Sequence, residues 1–132
     1  MWESSQLDVA PLSGRAAQDG RYADERLCRL IGEIVAAAFG VSGDDLRAPR
    51  RGAAPVAFAR QTAMYLGHVV FGLNLTRLGR AFGRDRTTAG HACRTIEDCR
   101  DDPAVDQALG MLEAACCDVV AAWRYGREKV HE

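Results

Sequence analysis

One stretch constrains this chain more than any other: Gly79-Arg80-Ala81-Phe82-Gly83-Arg84-Asp85-Arg86-Thr87-Thr88-Ala89-Gly90-His91-Ala92-Cys93-Arg94. Asn74 is a good N-cap, and Leu75, Leu78, Gly79 and Phe82 follow it at helical spacing, which predicts a short helix over 75–82. Gly83 suits the left-handed residue that closes a helix. Asp85 is then placed to cap a second helix, its carboxylate accepting from the amide of Thr87 or Thr88. Ala89, Ala92, Cys93 and Ile96 form the inner stripe of that helix. Arg86, Gly90 and Arg94, with Thr87 and His91, fall on its outer side. The stretch thus reads as a helix end, a tight turn, a capping Asp and a second helix whose first turns carry polar and basic side chains.

Charge is distributed in a way that suits this outer face. Net charge is only -1 over 132 residues. Between Arg47 and Thr95, however, nine arginines stand against the single acid Asp85. A basic centre between acidic flanks is the footprint of a protein that binds a polyanion. The length suffices for one domain with one core. Five cysteines, at 28, 93, 99, 116 and 117, include no CxxC pair and match no common zinc spacing, so neither a metal nor another cofactor is expected. With no leader sequence and no apolar run of membrane length, the reading is a cytoplasmic protein with reduced thiols, mostly packed as small core residues.

The remainder of the chain reads as further helices, so the fold class is all-α. Residues 1–20, Trp2 among them, are polar and aperiodic and are expected to form a disordered tail. A first helix is predicted from a cap at Asp24, with Leu27, Leu30, Ile31, Ile34, Val35, Ala38 and Phe39 inward and Gly40 as its end. Ser42 caps one short turn over 43–46. A basic loop, Arg47-Ala48-Pro49-Arg50-Arg51-Gly52-Ala53-Ala54, leads to Pro55 at the start of the next helix. Phe58, Thr62, Met64, Tyr65, Leu66, Val69, Val70 and Phe71 make that helix largely buried as far as Gly72. A last helix begins at Asp102-Pro103 and carries Val105, Leu109, Leu112, Cys116, Val119 and Trp123 as a heptad seam. The seam serves either its own domain or a homodimer. The domain is expected over 21–126, with a short disordered tail at 127–132.

Catalytic constellations are lacking. Gly67-His68-Val69-Val70-Phe71-Gly72 has the glycine spacing of a Walker A loop, but Leu73-Asn74 stands where Lys and Ser or Thr would hold phosphate and magnesium. No Ser-His-Asp set or paired carboxylates stand out, so no enzyme is expected.

Arg60-Gln61-Thr62-Ala63-Met64-Tyr65-Leu66, then Leu78 to Thr88, then His91-Ala92-Cys93-Arg94-Thr95-Ile96-Glu97 resemble the C-terminal DNA-binding domain of the bacterial replication initiator DnaA. The family pattern runs RQxAMYL and then IGxxFGGRDHTTVxHAxxxIE, and the similarity extends from about Arg29 to Leu112. The resemblance implies a Trp-repressor-like helical domain containing a helix-turn-helix, here with an extended C-terminal helix and without the initiator's ATPase module. It implies that Asp85, Arg86, Thr87 and Thr88 face base edges in the major groove of double-stranded DNA. It implies phosphate contacts from Arg60, Gln61 and His91, with Arg94 on the same face. A basic-loop arginine is implied for the minor groove, with Arg51 and the neighbouring Arg50 as the candidates. Chemistry agrees: a carboxylate accepts from cytosine, a threonine methyl meets thymine, and arginine suits guanine or phosphate.

Three departures stand out. The family histidine after the capping Asp is Arg86, the turn has one glycine where the family has two, and the valine after the two threonines is Ala89. Three functional classes follow. The first is a DNA-binding regulator of replication initiation or transcription at DnaA-box-like sites, associated with the nucleoid. The second is a transcription regulator of an unrelated operator, suggested by Arg86 and the shortened turn. The third is an interaction module for DnaA or other initiation proteins, suggested by the acidic flanks and the last helix.

Overall fold

The computed structural model describes residues 14–130. The order of elements is α1 (Gly14–Phe39), α2 (Gly43–Arg47), α3 (Ala54–Val69), α4 (Leu75–Phe82), α5 (Arg86–Cys99) and α6 (Pro103–Val130), with no strand among the described residues. The all-helical class and the helix-turn-helix of α4 and α5 stand as the sequence indicates.

α3 is the central helix. Ala59, Thr62, Ala63, Met64, Tyr65 and Leu66 along it are almost fully buried, because α1 packs on one side of it and α5 on another. α1 contributes Leu27, Cys28, Ile31 and Val35, and α5 contributes Ala89, Ala92, Cys93 and Ile96. Small residues on α5 let its backbone come close to α3, so the outer face of α5 is carried on a rigid support. Short connections are closed by local chemistry. Ser42 Oγ accepts from the amides of Asp44 and Asp45, and Asn74 Oδ1 accepts from the amide of Arg77. Gly40, Gly72 and Gly83 adopt left-handed backbone at helix ends, a conformation that costs a residue with a Cβ.

Four boundaries or positions differ from expectation. α1 begins at Gly14 rather than near Asp24, so the last part of the tail predicted over 1–20 is helical; residues 1–13, with Trp2, lie outside the described residues. Asp24 caps nothing. It sits inside α1, 9% exposed, and accepts two hydrogen bonds from Arg77 of α4, at 2.9 Å from Nε and 2.8 Å from Nη2. α6 continues to Val130, through most of the segment predicted as a C-terminal tail. Val69, expected inside, is exposed at the last turn of α3.

The predicted heptad seam of α6 is turned inward. α6 packs against α1, and Leu109, Cys116 and Val120 are buried with Val105, Leu112 and Trp123 half-covered. Val119 is exposed while Val120 takes the inner place. A straight helix turns in 3.6 residues, so a strict seven-residue pattern drifts off the core after two repeats. The seam that suggested a homodimer is therefore used within the chain. α6 is also pinned to the end of α5: Arg100 pairs with Asp106 and Glu113 and donates to the Tyr65 hydroxyl, which donates in turn to Glu97.

Candidate nucleic-acid interface

The interface is built on the turn between α4 and α5. The Arg84 amide donates to the Gly79 carbonyl at 2.8 Å, and the Gly83 amide to Arg80 at 3.3 Å, with Gly83 at φ +67°. This is the doubly bonded closure that ends many helices at a glycine. One glycine therefore suffices for the turn, provided that the next residue folds back tightly on Gly79.

Asp85 then starts α5. Its Oδ1 accepts from the Thr88 amide at 2.8 Å. That amide, the Thr88 hydroxyl and the Thr87 amide together hold the exposed carboxyl below its ordinary pKa, so it stays anionic. The cap fixes the first turn of α5 with Asp85, Arg86, Thr87 and Thr88 all exposed. His91 and Arg94 lie further along the helix, also exposed. Gly90 does not share this face. It is buried, and a Cβ there would lie 3.4 Å from the Leu75 side chain, so its smallness serves the packing of α4 on α5.

Arg50 and Arg51 are exposed on the loop before α3. Gln61 is half-buried on α3. Arg60 differs most from expectation: its side chain is buried, with the residue only 4% exposed. Its Nε donates to the Leu46 carbonyl at 2.8 Å, Nη1 to Arg51 at 2.9 Å, and Nη2 to Asp45 at 3.0 Å and Arg50 at 3.3 Å. Four of its five donors are thus committed to backbone carbonyls. It braces the loop, a structural role that the phosphate contact implied by the resemblance does not include. Burial and the like charges of Arg84 and Arg51 lower its pKa from the ordinary arginine value.

Arg84, to which the sequence reading gave no role, donates from Nη2 to the Ala48 carbonyl at 2.8 Å and from Nη1 to Phe82 at 3.3 Å. Its significance has no sequence signal, because the acceptors are carbonyls that every residue possesses. The structure ties Ala48 of the loop to Arg84, the residue before the α5 cap, and gives Arg50, Arg51, Arg86 and Arg94 no ion-pair partner among the described residues. By contrast Arg47, Arg77 and Arg100, which face other parts of the fold, are all paired with carboxylates. Unpaired cations beside a capped helix start can hold phosphates and offer donors to base edges.

No three His, Cys, Asp or Glu side chains converge as metal ligands among the described residues. Nor is any described helix long and apolar enough to cross a membrane.

Comparison with known proteins points the same way. The model of the family described as the bacterial dnaA protein helix-turn-helix matches residues 28–96. The chain is 38% identical over 109 residues to the chromosomal replication initiator protein DnaA of Brucella abortus, covering 81% of this chain and 21% of that protein. It is 37% identical over 86 residues to the DnaA of Symbiobacterium thermophilum, covering 64% and 19% respectively. The chain therefore spans about a fifth of the length of these relatives. Among solved structures, a DNA replication initiation factor superposes with a TM-score of 0.67 at 29% identity, over 80% of this chain and 32% of that one. A replication initiator DnaA bound to AMPPCP and single-stranded DNA superposes with a TM-score of 0.66 at 28% identity, over 79% and 32%.

Proposed function

The chain belongs to the bacterial DnaA helix-turn-helix family, and from that premise we propose that it is a sequence-specific double-stranded DNA-binding protein acting at DnaA-box-like sites. The observation that carries this reading is the capped, exposed first turn of α5, preceded by Arg84, which holds the carbonyl of Ala48 in the arginine-bearing loop. In the major groove Asp85 accepts from a cytosine amino group, Arg86 donates to a guanine edge, and Thr87 and Thr88 meet thymine methyls and the groove wall. Gln61, His91 and Arg94 hold phosphates. Arg50 or Arg51 enters the minor groove. Arg60 works behind the loop. Bound at such boxes, the protein regulates replication initiation or nearby transcription by competing with or assisting an initiator, and its place is the nucleoid.

The test is fluorescence anisotropy with a duplex carrying one DnaA box against a scrambled duplex across a salt series. With about five phosphates neutralised, the log–log salt slope is about -4 to -5. Discrimination of about tenfold or more, abolished by Arg86→Ala or Thr87→Ala, is the expected result. Equal binding to both duplexes would remove the box-reading claim.

A second reading, an operator unrelated to the DnaA box, is favoured by Arg86 standing where the family has histidine. Selection from random duplexes separates the two, since the second predicts an enriched sequence without a box.

A further inference from the structure

Five carbonyls within seven consecutive residues, those of Asp45, Leu46, Ala48, Arg50 and Arg51, accept from just two side chains, Arg60 and Arg84. The two arginines come from different elements: Arg60 from α3, and Arg84 from the turn that launches α5. Resting on the DNA-binding reading, we propose that Arg84 is a positioning residue, a cationic latch that fixes the loop bearing Arg50 and Arg51 to the start of the reading helix, so that both meet DNA as one rigid unit.

Residues 48–53 form no helix, so their backbone groups need partners from elsewhere or from water. Arg60 ties down the two ends of the segment, at Asp45 and Leu46 and at Arg50 and Arg51. Arg60 alone fixes the loop to α3. Among the described residues, the side-chain hydrogen bond that crosses from the loop to the helix-turn-helix is that of Arg84 to Ala48. Its fork is anchored at the other side by the Phe82 carbonyl, the last residue of α4. The backbone of Arg84 is itself clamped on Gly79. The side chain therefore leaves from a fixed point and reaches a fixed point, which is what positioning requires.

The latch is made of like charges. Arg60 lies close enough to Arg84 and to Arg51 to feel the like charge of each, and no carboxylate pairs with Arg60 or Arg84 among the described residues. A polyanion laid across the loop relieves that repulsion. Binding and stiffening of the loop are consequently coupled: the same charges that hold the loop in place become more favourable when phosphate arrives.

The decisive variant is Arg84→Lys, which keeps the charge but loses the planar fork that spans two carbonyls. Hydrogen exchange on the full chain without DNA reads the latch directly. The amide of Ala48, which donates to the Asp45 carbonyl, should exchange about tenfold faster in Arg84→Lys, with those of α5 unchanged. Single base-pair substitutions in the box then read its consequence. Discrimination at the base pairs facing the loop should fall about fivefold while that at base pairs facing α5 persists and the salt slope is kept. Unchanged exchange in the loop overturns the proposal. So does equal loss of discrimination along the whole box, which would mean that Arg84 acts through the start of α5. Full recovery by Arg84→Lys of everything lost in Arg84→Ala would also overturn it, because charge alone would then suffice. Should the wild-type protein fail to distinguish any duplex, the DNA-reading function falls, and the exchange measurement still decides whether the latch exists.

Discussion

A Cβ on Gly79 would lie 2.6 Å from the carbonyl oxygen of Arg84, so the turn between α4 and α5 closes against bare backbone. Gly79 is helical and has no need of left-handed dihedral angles; what it supplies is the absence of a side chain. Gly79→Ala should destabilise the fold by about 2–4 kcal/mol, since two stretches of backbone cannot both yield. Chemical denaturation checks this, and a loss below about 1 kcal/mol would show that the turn can relax.

Asp85 offers a pH signature. Its folded pKa is depressed by the amides and hydroxyl of α5's first turn. A depressed carboxyl stabilises above the unfolded pKa, and the benefit disappears as pH falls through the folded value. Asp85→Ala should lower Tm by a few degrees at pH 7, and the gap to wild type should close as pH drops below the ordinary value of 3.8. A gap that persists undiminished into acid would assign the loss to something other than the ionised cap.

Tyr65 of α3 meets the end of α5 through its hydroxyl, which accepts from Arg100 at 2.9 Å and donates to Glu97 at 3.0 Å. Removing the hydroxyl leaves the ring's packing intact. Tyr65→Phe should cost about 1 kcal/mol in denaturant titration, because Arg100 keeps its carboxylate partners.

The thiols divide by position. Burial raises the pKa of Cys28 and Cys93 to about 12 and that of Cys116 to about 11. Cys117 is exposed and Cys99 half-buried. With a disulfide reagent at pH 8, Cys117 should react at once and Cys99 more slowly, while the other three wait for unfolding. Because the folded values lie above the ordinary 9.0, the buried thiols stabilise the fold at neutral pH. That contribution fades as pH rises beyond about 9. Rapid reaction of more than two thiols in the native protein would contradict this packing.

The sequence was most legible where the cause of structure is local. Asn74, Gly83 and Asp85 are capping residues whose effects reach only a few positions, and the bounds of α4 and α5 agree with them. Asp24 also looks like a cap, yet its partner Arg77 is fifty-three residues away, and no local rule registers such a pair. Val119 and Val120 are equally apolar, and only the gradual drift of a helical repeat decides which is buried. Arg60 is legible as important, but its burial and its carbonyl partners are not. A buried arginine needs acceptors, and here they are carbonyls from a loop and a helix end. Which arginines of this basic centre meet solvent and which face inward is a property of the folded chain.

The 28 residues of α6 form a rod roughly 42 Å long at 1.5 Å per residue. Only part of its length is held by the core, the last buried contact being Val120 with Trp123 half-covered beyond it. Whatever is fixed to the last turns of α6 is therefore carried on a strut and not on a leash. A fluorophore or a second binding module attached there would be offered at a set distance and direction from α5. Its effective concentration at any neighbouring site would be governed by geometry, high at one spot and negligible elsewhere.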